Sequence, residues 1–252
     1  MGNTIPTRAT GGKNRRGRCL FAGILTALLI VALLIVYAHD STLSKNLSFP
    51  EPVRSGYSVY VNVSSVRCSV AVRPYAGELL WFNVTEVLGW GATPIQPVVG
   101  ESDNGSEILL NLHPTGGASP FAMEEVRINI YTPMVRAHSL NFSLDTCSLS
   151  VSGLNAGELS VFVVLGSVHI NMTGTIPESV SVVTQTGNIF MGIPLGQGFT
   201  VNATTVNGEI HLNGATLSTL VHNAQSAYGN VSGGGPHVYI ASIDGSITIQ
   251  VY

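Results

Sequence analysis

From residue 56 onward the chain alternates apolar and polar residues over short runs. YSVYVNV, VRCSVAV, ELLWFNV, EILLNLH and VRINIYTP, all between residues 57 and 133, carry apolar side chains at nearly every second position. A period of two is the mark of a strand with one buried face. Glycine- and proline-rich stretches at 89–105 and 114–122 read as loops between these strands.

The second half of the chain adds a longer period. Gly166, Gly187, Gly208 and Gly229 recur every twenty-one residues and lead GSVHINM, GNIFMGI, GEIHLNG and GNVSGGG. Two residues beyond each glycine stand Val168, Ile189, Ile210 and Val231, and five residues before each stand Val161, Val182, Ala203 and Ala224. Gly245 leads one further unit, SITIQVY, at a shorter spacing, with Ile240 five residues ahead of it. One step back from Gly166 is Asp145, which brings Cys147 into the row of Val168 and Ile189. Two short strands per period of about twenty residues are a solenoid pattern. The predicted fold is therefore all-β, a β-solenoid with coils of about 21 residues. Each coil buries its apolar row against the next at the inter-strand spacing of about 4.8 Å. An antiparallel meander or sandwich with coincidental spacing is the competing arrangement. Asn207-Gly208 before Ile210-x-Leu212 would signal a hairpin on its own. Inside the repeat it reads as a recurring corner.

The first forty residues follow a different rule. Residues 19–38, CLFAGILTALLIVALLIVYA, hold no charge and no polar face, and are long enough to cross a bilayer as a helix. Arg8, Lys13, Arg15, Arg16 and Arg18 lie just before, with no acid among them. The positive-inside rule predicts a cytoplasmic tail (1–18), a transmembrane helix (19–38), a stalk (39–55) and an extracellular or lumenal domain (56–252). The rival is a cleaved signal peptide with Val36-Tyr-Ala38 at its cleavage site, which also exports the remainder.

Composition narrows the function. Charged residues are only 10% of the chain, and past residue 18 there are six basic residues against all fourteen acids. Phosphate contact needs a basic surface, so nucleic acid is excluded as a partner of this body. Asn-x-Ser/Thr occurs at Asn46, Asn62, Asn83, Asn104, Asn141, Asn171, Asn202 and Asn230. Composition alone would give about three such sequons, so the excess favours an N-glycosylated, exported domain. Asn62, Asn83, Asn141 and Asn171 each lie between two apolar residues, which on a strand turns them outward.

The strand ending in proline, VRINIYTP, followed by TQTGNIFMG, TTVNGEIHLNG and ASIDGSITIQVY, resembles the putative-adhesin cell-surface domains of unknown function over roughly 57–252. The resemblance implies a β-solenoid surface domain and supplies no functional residues. The apolar segment and the sequons are not part of that family's pattern.

No nucleophile elbow, zinc-protease, phosphate-loop or dinucleotide motif is present. His169 and His211 fall in one outward row with Phe190 between them, about 9.6 Å apart at two strand spacings, too far to share a metal. Asp145 and Asp244 stand at corners, while Glu158, Glu178 and Glu209 are scattered. Trp81 and Trp90 are candidates for stacking a sugar, against a plainer role in the core or in anchoring loops. The expected function is a non-catalytic surface module for adhesion or envelope structure, without cofactor or metal. The alternative is an extracellular enzyme that binds or cleaves glycans. Expected partners are the membrane and surface proteins or glycans. Cys68 and Cys147 are the cysteines beyond the apolar segment. In an oxidising compartment they are expected to form a disulfide, with two buried thiols as the alternative. Ile247–Tyr252 reads as a terminal strand that either folds over the core or leaves an open edge for self-association.

Overall fold

The structure is a computed structural model that describes residues 27–33, 41–48, 55–88, 95–101, 106–113, 125–214 and 217–252. It divides into two units, residues 1–40 and Ser41–Tyr252. In the first, residues 27–33 are helical, and Leu28, Leu29, Ile30, Val31 and Leu33 are each exposed by half or more. Among the described residues no helix is long and apolar enough to cross a membrane. The twenty-residue span expected at 19–38 is thus seen only as this one helical stretch. The rest of it, and the tail 1–18, lie outside the described residues.

The second unit is all-β. Seventeen strands are described, all hydrogen-bonded into one sheet. They are β1 (Ser41–Ser48), β2 (Ser58–Tyr75), β3 (Trp81–Leu88), β4 (Val98–Glu101), β5 (Glu107–Leu112) and β6 (Glu125–Pro133). Next come β7 (Ala137–Ser152), β8 (Ala156–Leu165), β9 (Val168–Asn171), β10 (Ser179–Thr186), β11 (Ile189–Ile193) and β12 (Phe199–Asn207). The chain ends with β13 (Ile210–Asn213), β14 (Leu217–His222), β15 (Ser226–Val231), β16 (His237–Asp244) and β17 (Ile247–Val251).

The alternation decides which side of each strand is buried. In β8, Leu159, Val161 and Val163 are buried while Ser160 and Phe162 face out. Parallel pairing stacks these rows in register. Ser179 lies opposite Glu158 and Ile189 opposite Val168, each twenty-one residues apart. One step earlier, β7 pairs with β8 and then with β9, with Leu140 opposite Leu159 and Leu149 opposite Val168. The runs YSVYVNV and VRCSVAV join in the single strand β2, whose first half pairs with β5 and second half with β6. Together β5 and β6 form a further layer on β2.

Two expectations are corrected by the order of the layers. Residues 237–251 do not follow 199–213 at the end of the stack; they lie between them and 178–193. Ile240 is flanked by Val182 of β10 and Ala203 of β12, and Ile247 by Ile189 of β11 and Ile210 of β13. β17 therefore has a partner on both sides, and the open C-terminal edge expected for self-association does not exist. Residues 237–251 repeat the same inward rows (Val238, Ile240, Ile247, Ile249), so they fit in register between the layers on either side. The corner glycines follow suit, stacking as Gly166, Gly187, Gly245 and Gly208. Buried hydroxyls line this corner. Thr184 donates to Ser242 (3.1 Å), Ser242 to the Gly187 carbonyl (3.2 Å) and Thr205 to the Gly245 carbonyl (2.9 Å), which satisfies groups the turning backbone leaves over.

The second correction concerns Gly229, which is not a corner. It lies inside β15, opposite Val201 of β12 and Leu220 of β14. β14 and β15 are an antiparallel hairpin laid along the free side of β12, covering an edge that would otherwise expose unpaired backbone. At the other end of the sheet, residues 41–48 were expected in the stalk. They form β1 instead, antiparallel to β3, and satisfy its outer edge in the same way. Within the expected loop 89–105, Val98–Glu101 forms β4 against β5. The expected loop at 114–122 lies outside the described residues.

Candidate functional site

With the apolar rows turned inward, the outer faces of the strands carry whatever the molecule presents. On β2, β6 and β3, Arg73 lies opposite Tyr131, and Tyr131 opposite Trp81. Tyr75 packs edge-on against Tyr131, ring centroids 6.4 Å apart at 79°, and its hydroxyl donates to the Leu79 carbonyl. Tyr75, Trp81, Asn83 and Tyr131, floored by the buried Phe82, line a groove of about 390 Å³. Beside it, burial raises the Tyr57 phenol well above its ordinary range, and Tyr75 adds to the shift. Trp81 thus belongs to the outer face and not to the core; Trp90 lies outside the described residues. An aromatic groove of this kind offers flat, amphipathic surface, suited to a sugar ring or an apolar side chain.

The sequons fall where the alternation put them. Asn62 and Asn202 are exposed, and Asn83, Asn141, Asn171 and Asn230 are half-buried, each on an outward position of its strand. Asn83 accepts a hydrogen bond from Thr85 (3.2 Å), Asn141 donates to Ser139 (2.9 Å) and Asn230 accepts from Thr200 (3.0 Å). Asn46 is the register partner of Asn83 across β1 and β3. Asn104 lies outside the described residues.

Cys68 of β2 and Cys147 of β7 are register partners, Cα atoms 4.4 Å apart, and they are bonded as a disulfide. The bridge joins neighbouring layers and closes a loop of 79 residues. Replacing both cysteines with alanine is expected to lower stability by about 4 kcal/mol in the chain-entropy model. Denaturant unfolding of the variant and of the parent with and without reductant checks this. An unchanged midpoint would mean that the bridge contributes nothing.

The histidine row is rearranged by the inserted layer. His169 stacks on Phe190, centroids 4.5 Å apart and nearly parallel, but Thr248 stands between Phe190 and His211. The two histidines are therefore three strand spacings apart, about 14 Å, and His211 lies 3.6 Å from Glu209. Among the described residues no three His, Cys, Asp or Glu side chains group as a metal site. Glu178 accepts from Arg136 (2.8 Å) in a shallow polar recess that Glu158 also lines, and Asp244 is exposed at its corner. Sequence reasoning missed Glu86. It takes an inward position after Phe82 and Val84, is buried, and accepts the Ile95 N–H (2.9 Å), which ties Ile95 to β3. Its place in the alternating run was the available signal.

No protein-family model matches this sequence, and no curated protein matches it. Solved structures are similar to it. A putative cell adhesion protein from Clostridium sporogenes superposes with a TM-score of 0.62 at 16% identity, over 84% of this chain and 100% of that one. A putative adhesin from Bacteroides fragilis matches at 13% identity over 84% of this chain and 97% of that one, with a TM-score of 0.34. One from Parabacteroides distasonis matches at 12% identity over 85% and 98%, with a TM-score of 0.28. The first similarity is one of fold, and the other two are too low in TM-score to carry an argument.

Proposed function

We propose that the chain is a membrane-tethered, N-glycosylated surface module whose layers wind as a short β-solenoid, and that it acts in adhesion or envelope structure by binding and not by catalysis. The bond between Cys68 and Cys147 carries this reading, because such bridges persist outside the reducing cytosol. Eight sequons on one chain and the basic head before an apolar segment point to the same address. The exposed apolar side chains of residues 28–33 suit a lipid environment, since a helix apolar all round needs an apolar surrounding. The fold shared with a putative cell adhesion protein, and an outer face bearing an aromatic groove and dispersed acids, favour a binding role over hydrolysis.

Cells displaying the full chain with a tag at each end test the reading. Protease added to intact cells is expected to remove the C-terminal tag, spare the N-terminal one and abolish adhesion to neighbouring cells or matrix. A protected C-terminal tag would overturn the orientation. Adhesion equal to that of cells lacking the chain would overturn the binding role.

A further inference from the structure

An apolar ring left on the outer face of a soluble sheet invites the question of what covers it. Among the described residues six aromatic side chains are exposed: Tyr60, Trp81, Phe162, Tyr228, Tyr239 and Tyr252. All except Phe162 adjoin a sequon asparagine. Three do so in one local pattern: YVNVS at Tyr60–Ser64, WFNVT at Trp81–Thr85 and YGNVS at Tyr228–Ser232 each place the ring two positions before the asparagine. All three asparagines, Asn62, Asn83 and Asn230, lie in strands, where residues two apart share a face about 6.6 Å from each other. The other contacts run across strands. Asn202 lies between Tyr239 and Tyr228 in register, Asn141 lies opposite Tyr60, and Tyr252 donates a hydrogen bond to Asn171.

We propose that these rings are platforms for the chain's own N-linked glycans, the first N-acetylglucosamine of each lying over the neighbouring ring. The C–H face of a pyranose is weakly positive and the aromatic face is negative, so the two attract while both lose contact with water. At Asn83 the platform is the groove itself, since Asn83, Trp81 and Tyr131 line it together. The sugar lies beside two rings that are exposed or half-exposed among the described residues. The inference rests on the exported, glycosylated reading above. It adds that the glycans are structural parts of the outer face and not loose decoration.

Trp81 provides the measurement. The full chain carrying Asn46→Gln and Trp90→Phe, produced in a mammalian secretory host, keeps Trp81 as its one tryptophan and Asn83 as the one sequon of its strand pair. Acrylamide quenching of Trp81 is expected to be about two-fold weaker with the Asn83 glycan, trimmed to a single N-acetylglucosamine, than in the Asn83→Gln form. Equal quenching, with Asn83 shown by mass spectrometry to be occupied, would overturn the platform and leave the ring to a partner protein. An empty Asn83 beside other occupied sequons would also overturn it, and the exported reading would stand. Seven empty sequons, all that remain once Asn46 is replaced, would overturn both. If the Trp90→Phe protein does not reach the cell surface, Tyr60→Ser and Tyr228→Ser test the same contact. Occupancy of Asn62 and Asn230 is then expected to fall by about half, and unchanged occupancy counts against the proposal.

Discussion

Deleting residues 237–252 is expected to leave the chain unfolded under conditions in which the whole chain is stable. The deletion removes an interior layer, not an end. Val238, Ile240, Ile247, Ile249 and Val251 are all buried. At about 1.5–3 kcal/mol for each buried side chain, their loss alone matches the total stability of a typical domain, about 5–15 kcal/mol. It also strips hydrogen-bond partners from one edge each of β10, β11, β12 and β13. Near-ultraviolet circular dichroism and limited proteolysis of the truncated chain measure the outcome, and a synthetic peptide of residues 237–252 is expected to restore structure when added in trans. The opposite result has a definite meaning. Val182 and Ala203 are twenty-one residues apart and both face Ile240. Without the inserted layer the same register would let β12 close directly onto β10. A truncated chain that unfolds at the parent's midpoint would show that this closure occurs and that the insertion is dispensable.

Gly187→Ala is expected to be the most damaging conservative substitution in the molecule, costing about 3–5 kcal/mol. Gly187 has φ +147°, where an L side chain is strained. A Cβ placed there would lie 1.9 Å from the Gly166 carbonyl oxygen, a backbone atom fixed in the neighbouring layer. Neither layer can yield without breaking the parallel ladder beside it. The control is Gly174→Ala, where nothing lies within 4 Å and the change is expected to stay within about 0.5 kcal/mol. Thermal midpoints of the two variants decide the matter. Equal midpoints would mean that the corner column does not hold the layers together.

Where strands were expected, the buried face was legible in the sequence because burial imposes a period of two, and a one-residue slip would expose the whole row. The pairing of Cys68 with Cys147 was legible for a related reason, since both sit in inward rows. The order of the layers was not. Val182, Ala203 and Ile240 are equivalent as members of a row, and nothing in a period says which of two similar layers lies next to a third. Gly229 misled because spacing locates a glycine without saying whether it turns a corner or fills a strand. The aromatic groove was half visible. Trp81 stands out in the sequence as a residue that could stack a sugar, but its neighbours Tyr75 and Tyr131 come from β2 and β6, and only the register of β6 with β2 and β3 brings them to it.

Residues 237–251 emerge from the ribosome after 199–213, yet lie inside them in the stack. The fold cannot be laid down in the order of synthesis. Residues 199–213 must either wait with one side unpaired or settle first on β10 and later give way. Stability is then gained in one late step and not layer by layer. A chain interrupted between residues 214 and 236 that waits in this way presents two open edges to proteases and to other nascent chains. The arrangement ties survival of the molecule to its having been translated through the layer that joins its two halves.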